Sequence, residues 1–127
     1  MSATPVLAIV DNDASVRHAT GRLVRSFDLS VELYPNGQEL LQSPSLGGIA
    51  CVITDVEMPQ MNGFALCAAL RARGLHMPVI FMTAFATQGH EERARTAGAA
   101  AFIHKPFEDT EMFRCIEQAL SRPSHAD

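Results

Sequence analysis

The sequence predicts one α/β domain in which five parallel strands alternate with five helices. Short apolar runs rich in β-branched residues alternate with segments of helical periodicity, as expected when crossover helices join parallel strands. The first of these runs, Val6–Val10, contains no polar residue, which is typical of a strand covered by helices on both faces. With 127 residues, 47% of them hydrophobic, the chain can close one such core but not two. We therefore expect a sheet between two layers of helices.

The first half of the chain contains three predicted strands, Val6–Val10, the weaker Ser30–Tyr34, and Cys51–Thr54. After the first strand, Asp13 suits the N-cap of a helix. That helix carries one apolar stripe at helical spacing, made by Val16, Thr20, Leu23, Val24 and Phe27. A short second helix is predicted over Gln38–Gln42 and a loop over residues 45–48.

The second half continues the alternation with strands predicted over Val79–Met82 and Ala101–His104. A third helix, ended by Gly74, precedes the first of these strands. The fourth helix, Gln88–Ala97, has few large apolar residues, so we expect it to be held less firmly than the others. The last helix has one buried stripe, made by Met112, Phe113, Ile116, Ala119 and Leu120.

Composition excludes several classes of function. A formal net charge of −4 without a basic stripe gives no surface for direct nucleic-acid binding. The apolar runs are far shorter than the roughly 20 residues that span a bilayer, and no secretion signal precedes them, so we expect a cytoplasmic protein. The cysteines lack metal-ligand spacing and are expected to be buried, reduced thiols: Cys51, Cys67 and Cys115. The histidines are scattered and are expected at the surface or the rim of a site: His18, His76, His90, His104 and His125.

Four polar residues follow the predicted strands and should meet at one place. The carboxyl ends of parallel strands share one edge of the sheet, and ligands of such sheets bind at that edge. Asp11, Asp55, Thr83 and Lys105 each stand at or directly after the end of a strand. The topology alone therefore brings two carboxylates, a hydroxyl and an ammonium together.

The chemistry of this group favours phosphoryl transfer to a carboxylate. Crowded carboxylates attract a hard divalent cation, and Asp11, Asn12 and Asp55 offer the oxygen ligands that Mg²⁺ prefers. A carboxylate neutralised in this way is still a nucleophile towards phosphorus, while Thr83 and Lys105 can hold the oxygens of the transferring group. The expected product is an acyl phosphate on Asp55.

Four motifs then make a resemblance specific. They are Ile9–Asp13 followed by Ser15–Arg17, Asp55–Gly63, Met82–Ala84, and Phe102–Phe107. In this order and spacing, they resemble the receiver domain of bacterial two-component response regulators over the chain up to about residue 121. The resemblance implies a flavodoxin-like doubly wound fold with strand order 2-1-3-4-5 and three α/β/α layers.

The resemblance also implies roles for individual residues. Asp55 is expected to be the phosphoacceptor, and Asp11, Asn12, Asp55 and the backbone carbonyl of Glu57 are expected to bind Mg²⁺. Thr83 and Phe102 are the expected switch pair, and Pro106 is expected to follow a cis peptide bond. The face formed by the fourth helix, the fifth strand and the fifth helix is the expected output surface.

Expected partners follow from the same resemblance. The phosphoryl group would come from a sensor histidine kinase or a phosphotransfer protein, and phosphorylation could pair two copies of the chain. The domain is not expected to be an enzyme beyond self-phosphorylation from small phosphodonors and slow self-dephosphorylation. Residues 122–127 are expected to be a polar tail or the start of a linker. Residues 16–41 and Phe107–Asp109 are similar to receivers joined to LuxR-type DNA-binding domains, which points to transcriptional control by a parent protein.

One departure from the family pattern leaves alternatives open. The family normally has two adjacent acids after the first strand, whereas this chain has Asp11 followed by the neutral Asn12. Weaker Mg²⁺ binding follows from the smaller Coulomb attraction. A receiver-like interaction module that works without phosphorylation is therefore one alternative. A haloacid-dehalogenase-like phosphohydrolase is the other, because Asp11 and Asp13 after an apolar strand match its nucleophile pattern.

Overall fold

The computed structural model describes residues 4–85 and 88–121 of the chain. Five parallel strands form one sheet in the order β2-β1-β3-β4-β5, and five α-helices alternate with them. The strands are β1 Val6–Val10, β2 Ser30–Tyr34, β3 Cys51–Asp55, β4 Val79–Thr83 and β5 Ala101–His104. The helices are α1 Ala14–Arg25, α2 Gly37–Leu41, α3 Gly63–Ala72, α4 Gln88–Thr96 and α5 Asp109–Ser121. The predicted three-layer fold is confirmed.

The sheet has apolar layers on both faces, as the unbroken apolar run of the first strand predicted. One layer contains Val24 of α1 together with Met112, Ile116 and Ala119 of α5. The opposite layer contains Leu40 of α2, Leu66, Cys67 and Leu70 of α3, and Ala94 of α4. Strands β1, β3 and β4 are almost completely buried because helices cover them on both sides. This burial fixes the strand ends that carry the candidate site.

The strand predictions agree with the observed bounds to within a residue, and the differences lie at helix ends. Helix α1 begins at Ala14 because the Asp13 side chain accepts the backbone N–H of Val16 at 3.1 Å, which is the predicted N-cap. The stretch expected to be loop contains a short 3₁₀ helix, Leu46–Gly48. Leu46 is buried there, so its apolar side chain explains why this segment folds onto the core.

Helix α4 has little burial, in line with its predicted weak attachment. Among its side chains that the structure describes, Ala94 alone is buried. The α4 helix therefore has few core contacts to lose if it moves.

The cysteines are free thiols; Cys51 and Cys67 are buried, and Cys115 is half-buried. Burial raises the pKa of the Cys51 thiol to about 12. His18, His76 and His104 are exposed as expected, whereas His90 is half-buried, and His125 lies outside the described residues. Within residues 4–85 and 88–121, none of the helices has the length and apolar content needed to cross a membrane.

Candidate functional site

The four predicted site residues lie at the carboxyl edge of the sheet. Asp55 and Thr83 are the last residues of β3 and β4, and Asp11 and Lys105 directly follow β1 and β5. Asp11 and Thr83 are fully buried, Asp55 is 7% exposed, and Lys105 is half-buried. Parallel pairing of the strands brings their ends to this edge.

Lys105 connects the two carboxylates. Its Nζ lies 3.0 Å from Asp11 Oδ2 and 3.5 Å from Asp55 Oδ2. Lys105 is the only lysine in the chain, and its backbone N–H donates to the Thr83 carbonyl at 2.7 Å. The peptide bond between Lys105 and Pro106 is cis. The ammonium thus balances part of the negative charge that the strand ends concentrate here.

Asp11 is held on both sides of its carboxylate. Oδ1 accepts the backbone N–H of Asp13 at 2.9 Å, and Oδ2 accepts a hydrogen bond from Lys105. The Arg17 guanidinium donates to the Asp11 carbonyl at 2.7 Å. Asn12, next to Asp11, is exposed to solvent. The Asp11 carboxylate is therefore fixed in place.

Asp55 has a perturbed acidity. Burial raises the pKa of its carboxyl to about 6, the Lys105 ammonium opposes this rise, and the Asp11 and Glu57 charges add to it. Asp55 Oδ1 is buried and makes no hydrogen bond within the part of the chain that the structure describes. Burying a carboxylate oxygen without a hydrogen-bond donor costs free energy, so binding a cation or forming a covalent bond at Oδ1 would be favourable.

The donor set at this edge suits Mg²⁺ better than zinc. The described residues contain no group of three or more histidine, cysteine or acidic side chains that could hold a metal ion together. Asp55 and Asp11 instead offer two carboxylates at this edge, and the Asn12 amide and the Glu57 carbonyl stay predicted ligands that would add neutral oxygens. Mg²⁺ accepts such a set because it keeps several water ligands, whereas structural zinc sites need a closed shell of nitrogen and sulfur ligands.

Thr83 makes a contact that the sequence did not reveal. Its hydroxyl lies 2.8 Å from Glu57 Oε1 and 3.0 Å from Glu57 Oε2. Glu57 Oε2 in turn lies 3.2 Å from Nδ1 of His90 on α4. The sequence assigned only the backbone carbonyl of Glu57 to the site and placed His90 at the surface or a rim. Nothing in the residue spacing indicates that a side chain of the β3–α3 loop reaches the end of β4.

Phe102 lies beside Phe81 in the sheet register, on the face covered by α2, α3 and α4. Its side chain is half-buried and, with Ala94 and Arg95 of α4, lines a cavity of about 180 Å³. The Phe102 and His104 ring centroids are 5.4 Å apart. Phe102 therefore packs against the core and also borders open space under α4.

Comparisons with known proteins agree with this geometry. The family model described as "Response regulator receiver domain" matches residues 7–117. The chain is 35% identical to response regulator protein TodT of Pseudomonas putida over 91% of its own length and 51% of that protein. It is 33% identical to transcriptional regulatory protein FixJ of Azorhizobium caulinodans over 90% of its length and 54% of that protein. The chain thus spans about half the length of these curated relatives.

Solved structures show the same fold. The crystal structure of FixJ-N superposes with a TM-score of 0.86 at 28% identity and covers 98% of both chains. A response regulator receiver protein from Burkholderia phymatum superposes with a TM-score of 0.82 at 38% identity, over 96% of this chain and 99% of that one. The family match and the strand order agree, and the chain belongs to the response regulator receiver domains of two-component systems.

Proposed function

We propose that Asp55 accepts a phosphoryl group and that this event changes the surface around α4. The observation that carries the proposal is the buried Asp55 Oδ1, which has no hydrogen-bond donor among the described residues, next to Asp11 and Lys105. Receiver domains are generally signalling modules without an enzymatic activity of their own, and they generally bind Mg²⁺ at their acidic pocket. Self-phosphorylation from small phosphodonors and slow self-dephosphorylation belong to the proposal.

The proposed reaction is a displacement at phosphorus. An Asp55 carboxylate oxygen attacks the phosphorus of a phosphohistidine, the P–N bond breaks, and the imidazole nitrogen leaves with the electron pair. A carboxyl group with a pKa of about 6 is mostly ionised at pH 7.5, so the nucleophile is available. Mg²⁺ bound by Asp11, Asn12, Asp55 and the Glu57 carbonyl would supply positive charge for the phosphoryl oxygens.

Lys105 and Thr83 would stabilise the transferred group. The Lys105 ammonium, now divided between Asp11 and Asp55, can turn to a phosphoryl oxygen, and the Thr83 hydroxyl can donate to another. Movement of Thr83 towards Asp55 would vacate space beside β4. The Phe102 ring already borders the cavity under α4, so its rotation and a shift of α4 would follow as one change.

The phosphodonor protein would dock beside Lys105. A mostly apolar groove of about 480 Å³ runs from the cis-proline segment to α1 and is lined by Val16, Ala19, Thr20, Leu23, Ala84, Lys105, Pro106, Phe107 and Asp109. Because a phosphohistidine must come within bonding distance of Asp55, its carrier must cover the surface next to the site. An apolar helix face of a histidine kinase or a phosphotransfer protein fits this requirement.

The parent protein would be a cytoplasmic transcription regulator. FixJ, a relative of which this chain covers about half, is a transcriptional regulatory protein by name. We infer that residues 1–121 form the receiver, with residues 122–127 leading into a linker, and that phosphorylation pairs two copies through the α4–β5–α5 face. The chain itself would not bind nucleic acid.

The experiment measures intact mass and gel-filtration volume after treatment with acetyl phosphate and Mg²⁺, for the wild type, Asp55→Asn and Asp11→Asn. A labile adduct of one phosphoryl group that needs both Asp55 and Mg²⁺ supports the proposal, and a shift to dimer supports self-association. No adduct in any condition supports an interaction module independent of phosphorylation. An adduct that survives Asp55→Asn but not Asp11→Asn supports the phosphohydrolase.

A further inference from the structure

The carboxylate of Glu57 contacts two elements that the proposed switch must move. Its oxygens lie 2.8 and 3.0 Å from the Thr83 hydroxyl at the end of β4. The same carboxylate lies 3.2 Å from Nδ1 of His90 on α4. Glu57 itself stands two residues after Asp55, in the loop between β3 and α3. One side chain therefore connects the loop beside the phosphoacceptor to both Thr83 and α4.

The Thr83 hydroxyl has more acceptors than protons. It carries one hydrogen, and its possible acceptors are the two Glu57 oxygens and the Phe85 carbonyl at 3.0 Å. The backbone N–H of Phe85 donates to the hydroxyl oxygen, also at 3.0 Å. A hydrogen bond to a carboxylate is stronger than one to a neutral carbonyl, and the Glu57 Oε1 contact is the shortest. Glu57 is thus the principal partner of the Thr83 proton.

A phosphoryl group on Asp55 would need the same proton. Its oxygens carry negative charge and compete with the Glu57 carboxylate for one donor. Thr83 is fully buried, so water cannot easily satisfy its hydroxyl during the exchange. The side chain of Glu57 is about one-third exposed, so the carboxylate can be hydrated when it loses Thr83. Thr83 can therefore change its acceptor from Glu57 to a phosphoryl oxygen, and this change breaks the charge-assisted hydrogen bond between Thr83 and Glu57.

We propose that Glu57 is a positioning residue for phosphoryl acceptance, which holds the Thr83 hydroxyl away from Asp55 in the unphosphorylated protein. This proposal rests on the function proposed above, because the competing oxygens are those of a phosphoryl group on Asp55. Withdrawing Thr83 from Glu57 costs free energy, and this cost lowers the net affinity of the site for the phosphoryl group. When Thr83 leaves, this carboxylate no longer joins β4 to α4, while its contact with His90 remains.

The first test needs neither phosphorylation nor metal. The side-chain rotamer of Thr83 is measured by NMR couplings in wild type, Glu57→Ala, Glu57→Gln and Glu92→Gln. We expect one rotamer in wild type, averaging in Glu57→Ala, and an intermediate result in Glu57→Gln, whose amide oxygen still accepts a hydrogen bond. Glu92 is an exposed residue of α4, so Glu92→Gln removes the same charge and should change nothing. A single unchanged rotamer in Glu57→Ala means that Phe85 holds Thr83, and it overturns the proposal.

The second test separates hydrogen-bond competition from charge repulsion. Beryllofluoride with Mg²⁺ serves as the phosphoryl probe, and because the chain has one lysine, the ¹⁵N-lysine amide signal of Lys105 reports its binding alone. The apparent affinity for beryllofluoride is measured for four proteins: wild type, Glu57→Ala, Thr83→Val and the double variant. We expect Glu57→Ala to raise the affinity about tenfold with Thr83, the effect of one hydrogen bond to a charged group, and much less with Thr83→Val.

The outcomes distinguish this proposal from the function on which it rests. Equal gains in both backgrounds mean that Glu57 acts through its charge alone, and they overturn the positioning role. If the wild type binds no beryllofluoride but Thr83 averages in Glu57→Ala, the phosphoacceptor function fails while the hold of Glu57 on Thr83 stands. Thermal unfolding of each variant verifies that the compared chains are folded.

Discussion

Lys105 Nζ lies 3.0 Å from Asp11 Oδ2, although β3 and β4 separate the strands that these residues follow. The two residues are 94 positions apart in the sequence. The four-carbon stem of lysine lets the ammonium cross the ends of both intervening strands and reach a fully buried carboxylate. Asp11 would otherwise be an uncompensated charge in the core, so this contact links the stability of the fold to the chemistry of the site.

We predict that Lys105→Met destabilises the protein in the absence of Mg²⁺. Removing one partner of a buried pair leaves the other charge unpaired, which typically costs about 3–5 kcal/mol. Lys105 is partly exposed and water can reach the vacated position, so we expect a loss of about 2 kcal/mol in the free energy of unfolding. Urea denaturation at pH 7.5 in a chelating buffer measures the loss.

The control for this prediction is Arg22→Met, which removes an equal charge from the exposed face of α1. We expect Mg²⁺ to restore more stability to Lys105→Met than to wild type or Arg22→Met, because a cation near Asp11 and Asp55 replaces the ammonium. Equal losses in the two methionine variants would contradict the assigned role of Lys105.

We predict that Asp55→Asn stabilises the protein, and more so as the pH rises from about 4 to 6. Burial raises the pKa of the native Asp55 carboxyl from 3.8 to about 6, so the native state keeps a proton that the unfolded chain loses. The free energy of unfolding is therefore highest when Asp55 is protonated, and it falls as the pH rises from about 4 to 6. The asparagine variant does not titrate at this position, so this decrease is absent from it. A shift of this size corresponds to roughly 2–3 kcal/mol. Urea denaturation from pH 4 to 7.5 tests this, and a constant difference between the two proteins would contradict it.

The sequence predicted the parts of this site that topology determines. Asp11, Asp55, Thr83 and Lys105 stand at strand ends, and parallel strands bring their ends together whatever the details of the loops. The contact between Glu57 and Thr83 depends instead on the path of the β3–α3 loop and on the side-chain torsions of both residues. His90 was assigned to the surface or the rim of a site because the histidines are scattered without a paired arrangement, and only the packing of α4 shows its approach to Glu57. A contact between a loop side chain and a weakly amphipathic helix does not produce a periodic pattern in the sequence.

We predict that Asn12→Asp increases the affinity for Mg²⁺ about tenfold, since a unit charge added a few ångströms from a divalent ion contributes on the order of 1 kcal/mol or more even when partly hydrated. Asn12 is exposed beside the buried Asp11, so the added carboxylate can keep its hydration. Calorimetric titration with Mg²⁺ measures the change. Asn36→Asp is the matched control, because Asn36 caps α2 through its side-chain oxygen and aspartate can do the same. A similar gain in both variants would show a general charge effect and not a ligand at position 12.

Helix α3 lies very close to the end of β3 at Gly63. A Cβ at Gly63 would lie 2.6 Å from the Asp55 carbonyl oxygen and 3.2 Å from Cα of Val56, so Gly63→Ala must push backbone against backbone. We expect a loss of about 2 kcal/mol or more in the free energy of unfolding, together with slower phosphorylation because Asp55 is displaced.

Gly89→Ala makes the same exchange in α4, where a Cβ meets no atom within 4 Å. Gly89 lies in the first turn of α4, so the helical preference of alanine should raise stability only slightly there. Chemical denaturation and acetyl phosphate labelling of both variants test the contrast. If Gly63→Ala were as stable and as reactive as wild type, the β3–α3 contact would have to be looser than this structure shows, and Gly63 would not fix the position of Asp55.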